Sequence, residues 1–472
     1  MSRRIGVFGG SFDLPGDHHR HIVQQLTQEF DEVIVVPCGP RPDKAHHGMV
    51  EPVYRAALND LTFGDIDRVT VDLFDLEQAT FTRTDELEAR YRDRGEIWHV
   101  VGSDIISGGR RGESFVHRCW KNGSELWKTL NFAVVSRPGS EVEPADLPPR
   151  ARMFRMSCEG SSERIRRRAY HKESLTDLVV PEAERYIKRY DLYRGKAPAR
   201  FARLGEFAPR ALVHMADRNP LAIEIAKQLE PIRDERDPNC VIAIGGDGTM
   251  LHAIQTHWRK RVPFIGINAG HLGFLLNRRE DILDDSKKLG WFAESGAMVT
   301  RQLPMIYAET TAPDGTMKTE LSFNDTWVER STGQSAWLRV SVDGKERIGK
   351  LVCDGLLVST AAGSTAYAMS MGAQPLLADT PGWLIVGSNV MSPLGWKSAL
   401  LPLEANVLIE AMNTEKRPVI GFAHGVPMGP VLTMRARISR IAAVELAFLE
   451  RHDLAEKIAQ VQFPGGAGAR LL

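Results

Sequence analysis

Asp247 is the one acid in the run Gly245-Gly246-Asp247-Gly248-Thr249. The apolar stretch Val241–Ile244 precedes it and Met250-Leu251-His252-Ala253-Ile254 follows. The pattern predicts a buried strand, a glycine turn and the first turn of a helix. Such a turn gathers free backbone N–H groups at a helix N-terminus, where they hold a phosphate. The glycines let backbone and ligand approach closely. A carboxylate beside phosphate is electrostatically costly unless it binds a metal or accepts a proton, which makes Asp247 a candidate for phosphoryl chemistry. The plainer reading is a tight turn with Asp247 or Thr249 as helix N-cap.

Three further groups follow in the second half. After the strand Val262–Ile267 comes a second glycine-rich turn, with Asn268, Gly270 and Phe274. Phe323-Asn324-Asp325 sets an amide beside a carboxylate, a pair that suits an adenine edge or ribose hydroxyls, or simply an Asx turn. The richest stretch is CDGLLVSTAAGSTAY, residues 353–367. It predicts a strand from Asp354 to Thr360, then a small-residue turn through Gly363, Ser364 and Thr365 into a helix at Ala366-Tyr367. Hydroxyls and a glycine at a helix start suit a nucleotide. Ser364 or Thr365 as N-cap is compatible with that.

The first half has its own candidates. The strand Arg4–Phe8 runs into Gly9-Gly10-Ser11-Phe12-Asp13, and then into His18, His19 and His21 ahead of a helix from about Ile22 to Phe30. Imidazoles at a helix start can donate to phosphate oxygens, or lie solvated on the surface. Ser161 and Ser162, followed by Arg164 and Arg166–Arg168, put hydroxyls and guanidinium forks on one surface; a basic solvated helix start is the alternative.

These residues need elements to hold them. With 472 residues the chain predicts two or more domains. Its 60 basic and 60 acidic residues argue against bulk binding to nucleic acid or a membrane surface. Five cysteines without a CxxC pair fit free thiols in a reducing compartment. No apolar run has the length of a membrane span and the N-terminus lacks a signal-peptide core, so a cytoplasmic protein is expected. In the first half, strands at Glu32–Pro37, Val69–Asp72, Ile97–Val101 and Asn131–Ser136 alternate with helices at Tyr54–Leu61 and Asp85–Asp93. That predicts a mostly parallel sheet with ligands at the strands' carboxyl ends. Tyr193–Pro209 reads as a linker. Beyond it come the strand Arg210–Met215 and the helix Pro220–Leu229. After about Met298, alternating runs at 304–310, 337–343 and 352–359, with hairpin signals at Pro313-Asp314-Gly315 and Val342-Asp343-Gly344, predict a β-rich lobe.

The first half resembles the nicotinamide and nicotinate mononucleotide adenylyltransferases. That family has GGSFDPxHxGH after its first strand and ISSTxIRxR near its end; here GGSFD is identical, and SSERIRRR is followed by LVVPEAERYIKRYDLY. Gly102-Ser103-Asp104, Trp120, VSRPG at 135–139 and Lys44 stand where the family has GxD, a tryptophan, a PRPG-like turn and a lysine. Aligned without a gap, the family's first motif histidine falls on Gly16 and its second on His19. The resemblance covers about residues 1–194. It implies attack of a mononucleotide phosphate on the α-phosphate of ATP, with release of pyrophosphate. His19, Lys44 and Arg166 would serve the transfer and Gly9, Gly10, Ser11, Phe12, His18, Ser161 and Ser162 would bind ATP, with Gly102, Asp104 and Trp120 on the pyridine mononucleotide side.

The second half resembles NAD kinases over about residues 209–472. Their ordered motifs GGDGT, NxGxLGFL, an Asn-Glu pair and DGLxxSTPTGSTAY appear here as GGDGTMLHAI, NAGHLGFLL, Asn324-Asp325 and DGLLVSTAAGSTAYAMS. Asp stands for Glu in the pair, Ala361-Ala362 for Pro-Thr, and His424-Gly425 for a late Asp-Gly. The resemblance implies transfer of the γ-phosphoryl of ATP, with Mg²⁺, to the 2′-hydroxyl of the adenosine ribose of NAD. Asp247 would orient or deprotonate that hydroxyl. Gly245, Gly246, Gly248, Thr249, Asn268, Gly270 and Phe274 would line the phosphates, Asn324, Asp325, Ser364, Thr365 and Tyr367 would hold the adenosine, and Asp354 the nicotinamide side.

The expected architecture is therefore α/β and multidomain. A Rossmann-like nucleotidyltransferase domain (1–194) and a linker (195–208) precede a kinase-like region (209–472). The latter divides into an α/β lobe (209–298), a β-sandwich lobe (299–445) and a C-terminal return segment (446–472). The expected function is bifunctional synthesis of NAD, or its deamido form, and then of NADP. A second reading makes the first half a nucleotide sensor without catalysis that regulates the kinase. A third gives its transferase another phosphate acceptor. The resemblance also implies a homo-oligomer formed through the kinase region, with neither nucleic acid nor membrane as partner.

Overall fold

The computed structural model describes residues 3–41, 50–136, 141–156, 160–204, 208–270, 273–282, 298–450 and 452–463. Lys44, His271 and most of the 135–139 turn lie outside them. The chain divides into two units, Met1–Ala199 and Arg200–Leu472.

The first unit is built on six strands: β1 (Arg4–Gly10), β2 (Glu32–Pro37), β3 (Val69–Val71), β4 (Glu96–Gly102), β5 (Asn131–Ser136) and β6 (Ala151–Arg155). All neighbours are parallel, in the order β3-β2-β1-β4-β5-β6. The apolar runs of β2 and β5 are buried almost throughout, as expected of a parallel sheet covered on both faces. The strand order reverses between β1 and β4, the place where doubly wound sheets open a ligand crevice beyond their carboxyl ends. There β1 ends at Gly10 and runs into Ser11-Phe12-Asp13, and β4 ends at Gly102 and runs into Ser103-Asp104. Helix α1 is Asp17–Leu26, α2 is Pro52–Phe63, α3 is Ser162–Tyr170 and α4 is Pro181–Tyr190. Helix α1 starts five residues ahead of the expected Ile22. The backbone of Gly16 is extended and serves as its N-cap, so all three histidines lie within the helix.

The second unit opens with β7 (Phe201–Arg203), inside the stretch expected to be a linker. It forms a strand because its backbone pairs antiparallel with β11 (Met298–Thr311), a tertiary partner that local composition does not reveal. Next come β8 (Ala211–Met215), α5 (Pro220–Gln228), β9 (Cys240–Gly245), α6 (Asp247–His257) and β10 (Phe264–Asn268). Strands β8, β9 and β10 are parallel.

The antiparallel strands are β12 (Met317–Ser322), β13 (Asp325–Arg330), β14 (Ala336–Val342), β15 (Lys345–Cys353), β16 (Gly355–Thr360), β17 (Gly382–Ser388), β18 (Ser398–Pro402), β19 (Asn406–Ala411), β20 (Val419–Ala423), β21 (Val426–Pro430) and β22 (Thr433–Leu449). Asp343 and Gly344 both take left-handed backbones between β14 and β15, as a two-residue hairpin turn requires. The run 352–359, expected as one strand, divides at Asp354. Cys353 ends β15 in one sheet and Gly355 begins β16 in another.

One sheet has the order β15-β14-β19-β22-β10-β9-β8, with β11 also on β22; the other runs β18-β17-β16-β13-β20-β21. Between them lies a core that includes Leu338, Val340, Val358, Trp383, Val407 and Met434. The 17-residue strand β22 pairs antiparallel with β11 and β19, and then parallel with β10 at Phe264–Leu446. It crosses the expected 445/446 boundary and makes one sheet of the two lobes. Helix α7 (Leu454–Gln462) follows.

Candidate active sites

In the second unit, Gly246 is the N-cap of α6 and Asp247 its first residue. A Cβ on Gly245 would run into the Thr249 side chain, so the turn closes on that hydroxyl. Gly246 and Gly248 differ. A Cβ on either would meet nothing within 4 Å, and neither has a left-handed backbone. Their small size serves no packing need of the chain and leaves room for something outside it.

Asp247 is held from the other side. Its Oδ2 accepts from the Phe274 N–H at 2.9 Å and its Oδ1 from the Leu275 N–H at 2.9 Å. Burial raises its carboxyl above the ordinary range; these two amides and the nearby Lys457 ammonium pull the other way. The described residues around that loop are fixed in turn. The Asn268 side-chain oxygen accepts from the Gly270 N–H at 3.0 Å, and Asn219, the N-cap of α5, donates to the Ala269 carbonyl at 2.9 Å. Asn277 is fully buried and joins the loop to β22. Its amide donates to Gly266 O and Ala447 O, both at 3.1 Å, and accepts from the Leu449 N–H at 3.0 Å.

Asn324 and Asp325 stand at the start of β13. The Asn324 carbonyl accepts from the Thr360 N–H at 2.8 Å and the Ser359 hydroxyl at 3.2 Å. Gly363 packs against the Asn324 backbone so closely that a Cβ would collide with it. The Asn324 side-chain oxygen is buried with no partner among the described residues. An unmet buried acceptor costs about 1–3 kcal/mol, and a ligand donor would relieve it. Burial alone lifts the Asp325 carboxyl to about 6. The turn after β20 ties this strand to α6: the His424 N–H donates to Asp325 O at 3.2 Å, and its ring lies 3.1 Å from the Gln255 amide.

Ser364 is fully buried and binds within its own turn and to the following loop, donating to Ala361 O at 2.6 Å and accepting from the Leu376 N–H at 2.8 Å. The Thr365 hydroxyl sits 3.4 Å from Ala362 O. Tyr367 is exposed, with its ring edge toward Trp327 at 5.3 Å. Asp354 pairs with Arg330 at 2.7 Å and accepts from Asn389 at 2.8 Å. Tyr367 and Asp354 line one pocket of about 260 Å³ with Trp327, Glu329, Arg330 and Met371.

In the first unit, the loop 11–14 is tied down by its carbonyls. Arg55 on α2 donates to Ser11 O and, at 2.9 Å, to Cys38 O. Asn59 donates to Phe12 O at 3.3 Å. Ser162 and Arg166 on α3 donate to Leu14 O, at 2.7 Å, and to Asp13 O. The Asp13 carboxyl is buried and accepts from the Tyr193 hydroxyl at 2.7 Å; burial raises its pKa, while that bond, Arg55 and Arg166 oppose the rise. So Ser162 and Arg166, proposed from sequence as phosphate donors, hold the glycine loop in this state. Ser161 is exposed as the N-cap of α3.

His18 and His19 have ring centroids 3.9 Å apart, with His19 edge-on to Phe12 at 5.2 Å. His18 is buried against Gly160, where a Cβ would strike its ring. His21 is exposed and faces the Asp17 carbonyl at 2.8 Å. A Cβ on Gly16 would meet Ile165 and Leu178 O, so no side chain fits where the family's first histidine would fall. Gly9, near the end of β1, and Asp104, just beyond β4, are exposed. Trp120 packs on the cluster of Val116, Trp127 and Phe132, which also takes in Ile105 and Ile106 beside Asp104. Sequence reasoning missed Arg55, Asn59, Tyr193, Asn277 and Lys457. Each acts through a partner distant in the chain, which no local pattern reveals.

Family models give the same division. Residues 7–168 match the cytidylyltransferase-like model, 206–283 the ATP-NAD kinase N-terminal domain and 324–392 the ATP-NAD kinase C-terminal domain. The NAD kinase of Rickettsia bellii is 34% identical over 244 residues, which are 52% of this chain and 93% of that protein. The chain belongs to the NAD kinase family. The NAD kinase of Rickettsia canadensis is 33% identical over 256 residues, 54% of this chain and 98% of that protein. Among solved structures, yeast NADH kinase complexed with NADH aligns with a TM-score of 0.43 and 15% identity over 79% of this chain and 89% of that one. An NAD kinase from Archaeoglobus fulgidus in complex with ATP aligns at 0.41 and 20% over 53% and 98%. The NAD kinase region is thus preceded by a cytidylyltransferase-like domain in one chain. Among the described residues no helix is long and apolar enough to cross a membrane.

Proposed function

We propose that the chain performs two consecutive steps of NADP synthesis. The first domain joins a pyridine mononucleotide to the AMP moiety of ATP, with release of pyrophosphate. The kinase region then phosphorylates the adenosine 2′-hydroxyl of the NAD so formed. The observation that carries the kinase step is Asp247: a carboxylate fixed by two backbone amides at the open end of α6, between two glycines whose missing side chains leave space.

In that step the ribose hydroxyl attacks the γ-phosphorus, ADP leaves, and Asp247 orients the hydroxyl and takes its proton. Burial makes Asp247 a better base than a solvated aspartate. The N–H groups at the start of α6 face the phosphates. Asn324, with its unmet acceptor, and Asp325 receive adenosine donors, and the Tyr367–Asp354 pocket takes the nicotinamide side. Mg²⁺, held by one carboxylate and the nucleotide's own phosphate oxygens, would neutralise developing charge; among the described residues no group of three His, Cys, Asp or Glu side chains could hold a metal alone. In the first domain His18 and His19 face the phosphates from α1, with Arg166 beside the loop and Lys44 as a further cation. Positioning and charge do most of the work there.

The test is a product time course. Purified protein receives ATP, Mg²⁺ and nicotinamide mononucleotide, with nicotinate mononucleotide in parallel. A dinucleotide that appears and then gives way to its 2′-phosphate supports both steps, and His19→Ala should stop the first alone. If added NAD becomes NADP but no mononucleotide is converted, the first domain is a sensor or uses another acceptor.

A further inference from the structure

Lys457 is only 4% exposed, and lysine is almost never so buried unless its charge is paired. It sits on α7, at the far end of the chain from the glycine turn. Its Nζ donates to the carbonyls of Gly273 and, at 2.7 Å, Leu276. Between those two residues lie Phe274 and Leu275, whose N–H groups hold Asp247. One four-residue loop thus turns its carbonyls to the ammonium and its amides to the carboxylate. A buried charge costs several kcal/mol of desolvation. The neighbourhood offsets that cost through the two carbonyls and the Asp247 carboxylate, whose charge acts on Lys457 across the loop.

We propose that Lys457 is a positioning residue for phosphoryl transfer: it clamps the 273–276 loop so that the Phe274 and Leu275 amides aim Asp247. The proposal rests on the reading of Asp247 as the base. It makes α7 part of the kinase site, although none of the four sequence motifs includes it. Burial lowers the Lys457 pKa to about 8, with Arg278 acting in the same direction and Asp247 and Asp281 against it, so the charge is present at neutral pH and is lost as pH rises through about 8.

The experiment uses the full chain with NAD, ATP and Mg²⁺ and follows NADP formation against pH. Lys457→Met removes charge and donors but keeps the stem. Lys457→Gln keeps amide N–H donors without charge and stands in if the first variant does not fold. Misplaced bases commonly lose about 100-fold, and kcat should fall to that degree with little change in KM. The acid limb should move to higher pH, because the cation that pulls the Asp247 carboxyl down is gone. The decline near pH 8 expected of the wild type should vanish. An unchanged kcat in a folded variant overturns the proposal, as does a lowered kcat with both limbs in place, or a wild-type profile flat through pH 8. A wild-type chain that converts no NAD at all fails the underlying reading instead.

Discussion

The chain holds two glycine turns of the same outline, each leaving a parallel strand and entering a helix, yet they are held in opposite ways. The loop after β1 is secured through its own carbonyls by Arg55, Asn59, Ser162 and Arg166. The turn after β9 is open on its ligand side, and its security comes from amides that grip one side chain, Asp247. The first device uses up donors that a phosphate would want. The second places a poised group beside empty space. Similar motifs therefore do not imply similar readiness: the first site must exchange internal bonds for ligand bonds, and the second need only receive its ligand.

The largest effect expected on this contrast is at Asp247. Asp247→Asn should lower NADP formation roughly 10²–10⁴-fold, the usual worth of a positioned base, while circular dichroism and mononucleotide adenylylation stay as in the wild type. Loss of both activities together would mean that the substitution acts on folding.

Next come two matched glycines. Gly16→Ala should cost about 1–3 kcal/mol, since its Cβ meets Ile165 and Leu178 O and the site must give way. Gly246→Ala should leave the thermal midpoint alone and raise KM for ATP by about tenfold, the discrimination typical of one methyl group in a pocket. Thermal melts with initial rates on the same two proteins would show the opposition. If both variants melted alike, the contrast would be lost.

Tyr193→Phe should destabilise the first unit by about 1–3 kcal/mol, because the buried Asp13 carboxyl loses its donor. Differential scanning calorimetry would show an earlier transition with the kinase rate preserved.

The smallest effect concerns Asp325. Its folded pKa of about 6 exceeds the unfolded value of about 3.9, so its contribution to stability is present below about pH 4 and is lost as pH rises through about 6. The carboxylate form, proposed to accept ribose hydroxyls, is present only above that range. NAD affinity by titration calorimetry should thus weaken as pH falls below about 6, and Asp325→Asn should flatten the change.

Much of this was legible because it is local. The apolar runs of β1, β2, β9 and β10, each followed by glycine or a turn residue, mark strand and turn without reference to the rest of the chain. Asp247, Asn324 and Gly363 were singled out the same way. What could not be read is what arrives from afar. Lys457 reaches a carbonyl 184 residues away. Tyr193 bonds to Asp13 across 180 residues. Strand β7 exists only because β11 pairs with it. The start of α1 was placed too late because Gly16 caps it with backbone alone, and no Ser, Thr, Asp or Asn side chain announces that cap.

Strand β22 imposes an order of events on synthesis. The buried amide of Asn277 finds its partners on β22 at positions 170 and 172 residues further on. Residues leave the ribosome at about 5–20 per second, so β10 waits on the order of ten seconds with one edge unpaired. Such an edge invites pairing with other chains. The first unit's sheet is complete by Arg155, before any of the second unit has emerged. A nascent chain therefore carries a finished nucleotidyltransferase fold ahead of a kinase fold that closes almost at its last strand, and agents that shield exposed strand edges should matter for the yield of the second activity far more than for the first.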